Sequence, residues 1–155
     1  MIRAMARILG VDYGERAIGL AVSDELGLTA RALCTLRRGK NEAKWACIGR
    51  IENIAREHGV SAIVVGLPKN MDNSLGEQAD KTTDFGQRLT HALPDIPIVY
   101  RDERLTSRLA QRVLIDGDFS KKHRRQALDQ MAAQIILQDY LDELASARTH
   151  RGLTY

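Results

Sequence analysis

The segment Ser61–Gly66, with the sequence SAIVVG, constrains the fold of this 155-residue chain more than any other. A short, continuous run of β-branched residues is typical of a strand that is buried on both faces. Helical patterns flank this strand: one helix is predicted from Asn41 to the stop signal at Gly59, and a second over Gly76–Leu93. The sequence therefore predicts a central sheet with helices on both faces.

Four further strands and two further helices complete the pattern. The strands are predicted over Arg7–Tyr13, Ala17–Ser23, Thr29–Leu36 and Ile96–Tyr100, and the helices over Thr106–Ile115 and Gln126–Ala145. The order β-β-β-α-β-α-β-α-α predicts an α/β fold with one mixed five-stranded sheet. No linker divides the chain, so we expect residues 1–148 to form a single domain and residues 149–155 to form a flexible tail.

The net charge of +3 permits a nucleic-acid partner without requiring one. Two basic clusters are either solvated surface or phosphate-binding surface. They consist of Arg101, Arg104, Arg108 and Arg112, and of Lys121, Lys122, Arg124 and Arg125. There is no apolar run of about 18 residues, and the two cysteines do not have the spacing of a metal site. The sequence thus predicts a cytoplasmic protein with reduced cysteines and no membrane partner.

Acidic residues occupy three places where a mixed α/β fold gathers its ligands. Asp12 ends the first strand, Asp102 and Glu103 follow the fifth, and Asp129 lies beside the apolar stripe of the last helix. Each has a structural alternative: a turn aspartate, the acidic first turn of a helix, or an exposed helix position. Together such carboxylates are suited to bind Mg²⁺ or Mn²⁺, and a pair of these ions can hydrolyse a phosphodiester bond.

Four ordered motifs between residues 7 and 145 resemble the YqgF/RuvX family: GVDYGERAIGLAVSD, VVGLPKNMDNSLGEQA, RDERLTSRLA and ALDQMAAQIILQDYL. The resemblance implies a ribonuclease H-like fold, shared with RuvC-type Holliday junction resolvases. It also implies that Asp12, Glu103 and Asp129 are the catalytic, metal-binding acids. We further expect substrate contacts from residues in the motifs and the basic clusters, namely Arg16, Lys69, Asn70, Arg104, Arg108, Lys121, Lys122, Arg124 and Arg125.

The resemblance implies a metal-dependent nuclease that matures the 5′ end of pre-16S ribosomal RNA, with nucleic acid and ribosomal particles as partners. Two alternatives stay open: a Holliday junction resolvase acting on four-way DNA, and a non-catalytic RNA- or ribosome-binding factor. Symmetric cleavage of a junction calls for a homodimer, whereas a monomer is sufficient to trim one RNA end. Aromatic residues make up only 5% of the chain, which favours recognition through phosphates and shape.

Overall fold

The computed structural model describes residues 6–39, 42–68, 76–102 and 121–150, with side chains for residues 128–147 of the last segment. Five strands form one sheet in the order β3-β2-β1-β4-β5. The strands are β1 (Arg7–Tyr13), β2 (Ala17–Ser23), β3 (Ala30–Arg37), β4 (Val60–Leu67) and β5 (Ile98–Asp102). The helices are α1 (Ala46–His58), α2 (Glu77–Ala92) and α3 (Lys121–His150).

The sheet is mixed, as predicted. β1, β2 and β3 form an antiparallel meander, because short connections return the chain beside itself. β4 then lies parallel to β1, and β5 lies parallel to β4. The segments leading to β4 and β5 contain α1 and α2, as parallel connections require. β1 is therefore the central strand, and its carboxyl end lies beside that of β4.

The two faces of the sheet are covered by different helices, which confirms the predicted layers. Side chains alternate along β1, so Leu9 and Val11 point toward α1 and α2, whereas Gly10 and Asp12 point toward α3. The larger hydrophobic cluster lies on the α1–α2 face and includes Phe85 of α2. A smaller cluster on the other face contains Val64, Ala133, Ile136, Leu137 and Leu141. No described helix has the length and apolar character needed to cross a membrane.

Two elements before the last helix, β5 and α1, differ from the sequence prediction by two residues or more at a boundary. β5 begins at Ile98 rather than Ile96, because Pro97 has no N–H group for the strand ladder. This strand also continues through Asp102, two residues beyond its predicted end. α1 begins at Ala46 rather than Asn41, and Trp45 is its N-cap residue.

The last helix is longer than predicted at both ends. α3 starts at Lys121, so the basic segment that was predicted to be a connection is helical. Lysine and arginine are good helix formers, and neither glycine nor proline interrupts the run. The helix also continues to His150, past the start of the predicted tail, while residues 151–155 lie outside the described part of the chain. The predicted helix Thr106–Ile115 lies outside it as well.

Candidate active site

Asp12 lies at the carboxyl end of the central strand, on the face covered by α3. It is the penultimate residue of β1 and is half-buried. Its cross-strand partner on β2 is Gly19. Because Asp12 belongs to the strand, its backbone is held in the ladder with β2, and the residue before it, Val11, also pairs with Val65 of β4. The alternative of an isolated turn aspartate is therefore wrong.

Gly19 brings the backbone of α3 directly onto the sheet beside Asp12. A Cβ atom at this position would overlap the carbonyl group of Asp129 and would lie 3.1 Å from its Cα atom. Gly10 does the same two residues before Asp12, since a Cβ atom there would lie 2.8 Å from Leu137 Cβ and 2.9 Å from the carbonyl oxygen of Ala133. α3 therefore runs antiparallel to β1, with Asp129 over the carboxyl end of the strand.

Polar contacts at both edges of the sheet fix the position of α3. Near β3, Gln138 Oε1 accepts a hydrogen bond from Ala30 N (2.8 Å), and Gln134 Nε2 donates one to Ala30 O (3.1 Å). At the opposite edge, the Arg101 guanidinium forms ion pairs with Asp139 and Glu143 of α3. These anchors hold the helix so that it cannot easily slide along the sheet, which keeps Asp129 above Gly19.

The Asp129 carboxyl group is half-buried and lies near Asp12. Burial, and next the negative charge of Asp12, raise the pKa of Asp129 to about 6. The residue is in line with Ala133 and Leu137, both of which are fully buried, one and two turns along the helix. The alternative of an exposed helix position is therefore wrong, because Asp129 faces the sheet.

The end of β5 directs successive side chains to different faces of the sheet. Arg101 contacts acidic side chains of α3, whereas Tyr100 lies against Gly86 of α2. Alternation along the strand places Asp102 on the same side as Tyr100, opposite Asp12. Arg101, which the sequence suggested for phosphate binding, is instead bound to α3. The residue that follows Asp102 in sequence is Glu103.

The structure describes only some of the remaining predicted site residues. Arg16 is exposed in the turn that follows β1. The basic run on α3 has a helical backbone, but its side chains are not among those described; it comprises Lys121, Lys122, Arg124 and Arg125. Five further predictions lie outside the described residues, namely Lys69, Asn70, Glu103, Arg104 and Arg108. Within the described residues, no group of three or more His, Cys, Asp or Glu side chains is placed to hold a metal ion.

A second polar site, which the sequence did not predict, lies on the opposite face at the same end of β1. It is a cavity of about 260 Å³ whose lining includes Tyr13, Arg38 and Trp45. Trp45 lies inside the helix that the sequence predicts from Asn41, so the pattern did not identify it as a site residue. One feature of the sequence could have pointed to this site: the only tryptophan of the chain stands beside Lys44 in a polar stretch.

Comparisons with known proteins agree with this architecture. A family model described as "RuvX: Holliday junction resolvase" matches residues 6–143. A protein of Latilactobacillus sakei subsp. sakei (strain 23K), named "Putative pre-16S rRNA nuclease", is 43% identical over 137 residues, covering 88% of this chain and 92% of the relative. A Staphylococcus aureus (strain JH9) protein of the same name is 43% identical over 138 residues, covering 89% and 96%.

Solved structures show the same fold at low sequence identity. Thermus thermophilus RuvC, in complex with a Holliday junction substrate, matches with a TM-score of 0.54 and 15% identity, covering 96% of this chain and 97% of RuvC. The Fowlpox virus resolvase, in complex with Holliday junction DNA, matches with a TM-score of 0.55 and 14% identity, covering 89% and 98%. The predicted ribonuclease H-like architecture is thereby confirmed.

Proposed function

Since the chain belongs to the RuvX family, we propose that it is a divalent-metal-dependent nuclease that processes the 5′ end of pre-16S ribosomal RNA. The observation that carries this proposal is the approach of Asp12 and Asp129. These residues lie on elements that are far apart in sequence, and a glycine at position 19 allows them to approach. Structural packing alone does not call for two carboxyl groups at one half-buried place, because like charges there repel each other.

The carboxylates suit a hard divalent cation. Mg²⁺ and Mn²⁺ prefer oxygen ligands. Burial, and next the charge of Asp12, raise the pKa of Asp129, and a cation between the two carboxyl groups would favour the ionised form of Asp129. We propose Glu103 as the third ligand, because Asp102 lies on the other face and Glu103 is the next residue in sequence. When bound, such ions activate water and stabilise the leaving oxygen of a phosphodiester.

The basic run of α3 supports a polyanionic substrate. Lys121, Lys122, Arg124 and Arg125 precede Asp129 by four to eight residues on one continuous helix, which is about 6–12 Å along its axis. Cations in the first turns of a helix are unfavourable to its dipole. Phosphate groups bound at this end would compensate that cost. We therefore propose that this run, together with exposed Arg16, guides the nucleic acid toward the acids.

We propose RNA rather than four-way DNA as the main substrate. The relatives at 43% identity bear the name of a pre-16S rRNA nuclease and are covered almost entirely by the match. The structures that contain Holliday junctions are about 15% identical, so they support the fold and not the choice of polymer. Lys69, Asn70, Arg104 and Arg108 stay proposed substrate contacts.

A paired cleavage assay tests the function. We expect the wild-type chain to cut a 5′-extended 16S RNA in Mg²⁺ or Mn²⁺ but not in EDTA. The variant Asp12→Asn should lose more than about a hundredfold in rate, since even outer partners of metal ligands contribute 10–100-fold. The matched control Asp142→Asn changes an exposed aspartate of α3 and should cut normally.

The same assay separates the alternatives. Faster cleavage of a four-way DNA junction than of the RNA would show the resolvase activity instead. Tight RNA binding with no cleavage in either metal would show a non-catalytic binding factor. Equal cleavage by the wild type and Asp12→Asn would mean that another enzyme contaminates the preparation, and would leave no support for the assigned site.

A further inference from the structure

The cavity on the α1–α2 face combines positive charge with aromatic rings. It is bordered by the end of β1, the end of β3, the N-terminus of α1 and one side of α2, which contribute Tyr13, Arg38, Trp45 and Lys81. The Tyr13 ring stacks on Phe85 with 4.3 Å between centroids, and the Arg38 guanidinium lies 5.2 Å from the Tyr13 centroid. These contacts hold the floor of the cavity in place.

The acidic residues of the cavity are already neutralised. Glu15 forms an ion pair with Lys81, and Asp84 forms one with Arg88 at 3.7 Å. The other two cations of the lining are Arg38 and Lys44, and in the described part of the chain neither forms an ion pair. Arg38 nevertheless helps Lys81 to lower the pKa of Glu15, so the lining holds three cations against the two acids Glu15 and Asp84. The cavity therefore has an excess of positive charge, which attracts an anion.

The hydrogen bonds of Arg38 and the N-terminus of α1 also favour an anion in this cavity. Arg38 Nη1 donates to Tyr13 Oη at 2.9 Å, and Nη2 donates to the carbonyl oxygen of Lys44 at 2.6 Å. The guanidinium is thus held in place before any ligand arrives. α1 starts beside it with no side-chain cap and no acidic residue in its first turn, so the first turn itself supplies no carboxylate to offset the positive end of the helix dipole.

Trp45 supplies a flat apolar surface at the same place. Its ring is half-buried, with Lys44 Nζ at 5.1 Å and Arg88 Cζ at 4.5 Å from the centroid. Lys44 is exposed and free to reposition when a ligand enters. A ligand that has both an anionic group and a flat ring satisfies the cations and the aromatic surface together, and a nucleotide is such a ligand.

The cavity and the acid Asp12 lie next to each other at the end of β1. Tyr13 follows Asp12 directly, and the alternation of side chains along β1 directs the two residues to opposite faces of the sheet. Exposed Arg16 lies in the turn that follows Tyr13, and its carbonyl oxygen accepts a hydrogen bond from Arg38 N at 2.9 Å. A nucleic-acid strand bound at the acids therefore reaches the cavity by crossing the end of β1.

We propose that this cavity is a subsite for one nucleotide of the substrate strand, beyond the bond that is cut. Its phosphate contacts Arg38 and Lys44, and its base or sugar contacts Trp45. The inference rests on the proposed nuclease function, because one strand must occupy both faces at the end of β1. In this proposal Arg38, Lys44 and Trp45 bind the substrate strand, a role that the acids alone do not provide.

Trp45 is the only tryptophan in the chain, so its emission reports on this cavity alone. We would titrate the Asp12→Asn chain, without divalent metal, with a short single-stranded RNA of mixed sequence. The expected result is a saturable change in tryptophan emission. An equal change with inorganic phosphate at the same concentration would overturn the nucleotide subsite, as would RNA binding, seen with end-labelled RNA, that leaves the emission unchanged.

A matched pair of charge variants tests the phosphate contact. In the same Asp12→Asn background, Lys44→Gln should raise the Kd for RNA roughly fivefold at low salt and lower the slope of log K against log salt by about one. Arg31→Gln removes the same charge from an exposed residue at the opposite end of the sheet and should leave that slope unchanged. Identical behaviour of the two variants would overturn the proposal.

Failure of the subsite is distinguishable from failure of the proposed function. If the wild type cleaves RNA while Lys44→Gln and Arg31→Gln bind equally well, the nuclease stands and the subsite is wrong. If the wild type cleaves neither RNA nor DNA while the Trp45 emission responds to RNA and Lys44→Gln weakens binding, the cavity binds a nucleotide but the proposed nuclease function is wrong.

Discussion

The two faces of the sheet are packed in different ways. On the α1–α2 face, large side chains such as Leu9, Ile18 and Phe85 fill the space between helix and strand. On the α3 face, Gly10 and Gly19 have no side chain of their own, so at these two positions the sheet comes into close contact with α3. Alanines continue this pattern at buried positions, including Ala21, Ala30, Ala132 and Ala133.

This difference separates stability from the placement of the acids. Burial of apolar area stabilises the fold in proportion to that area, so the face with large side chains contributes more of the stability. Close contact between backbones leaves little freedom to shift, and this fixes where Asp129 lies relative to Asp12. Substitutions on the two faces should therefore affect different measurements.

The largest effect on stability is expected from the α1–α2 face. Leu89 of α2 is fully buried, and Leu89→Ala should lower the free energy of unfolding by about 2–5 kcal/mol because it leaves a cavity. The cleavage rate per folded molecule should stay near the wild-type value, because Leu89 lies on the face away from the acids. Urea denaturation and cleavage at low temperature measure the two quantities. A folded but inactive variant would contradict the separation.

Gly19→Ala should instead affect cleavage more than stability. The added Cβ atom overlaps the backbone of Asp129, so α3 must move away from β2. We expect a loss of about 1–3 kcal/mol in the free energy of unfolding, typical of overpacking. The cleavage rate of the folded protein should fall more than tenfold, since about 1 Å of displacement can cost a hundredfold.

Gly86→Ala is the matched control for this variant on the other face. A Cβ atom at Gly86 would collide with the outer part of the Tyr100 ring, namely the hydroxyl group, Cζ at 2.9 Å and Cε1 at 3.2 Å. Tyr100 is 37% exposed, so its side chain can swing outward. Stability and cleavage should therefore change little. If Gly19→Ala and Gly86→Ala behave alike, the contact of α3 with Gly19 does not place Asp129.

The pH dependence tests the electrostatics of the α3 face. The pKa of Asp129 is raised to about 6, above the value of about 3.9 for an unfolded chain. The folded state therefore holds more protons between these values, so the free energy of unfolding should fall as pH rises from about 4 to 6 and should then level off. Because the carboxyl group is only half-buried, solvent screening limits the loss to about 1–2 kcal/mol.

Asp129→Asn should remove this contribution, whereas Asp142→Asn, which changes an exposed residue of the same helix, should keep it. Unfolding in metal-free buffer at a series of pH values measures the difference. Cleavage should show the opposite trend and rise through about pH 6, because metal binding requires the ionised carboxylate. A pH profile of stability that is the same for Asp129→Asn and the wild type would show that Asp129 does not carry the raised pKa.

Local patterns predicted the strands of the site well. The bounds of β1 and β2 follow from two apolar runs separated by polar residues, and both match the structure. Asp12 and Asp129 were candidates because one ends a strand and the other lies beside an apolar stripe, and the family resemblance then implied that they are site acids. The extension of β5 through Asp102 was harder to predict. A shift of one residue in a strand moves each side chain to the other face, so the register of β5 decides on which face Asp102 lies.

Features made by distant residues were not predicted. The partner of Gly19 is Asp129, more than a hundred residues away in sequence, and no periodicity identifies such a contact. The cavity around Trp45 draws on two strands and two helices, and each residue of its lining is unremarkable in its own segment. The basic run was predicted to be a connection because charge suggested solvent exposure, although its residues favour a helix.

The smallest expected effect has the opposite sign and completes the comparison of glycines. Gly49 lies in α1, is exposed, and a Cβ atom there would have no atom within 4 Å. Alanine should therefore stabilise the helix by about 0.5–1 kcal/mol, because it restricts the unfolded chain without a clash. Cleavage should be unchanged, since α1 holds no acid of the site. Thermal unfolding of Gly49→Ala beside Gly19→Ala measures this contrast. A loss of stability in both variants would mean that the clash with α3 is not the reason why Gly19→Ala is destabilising.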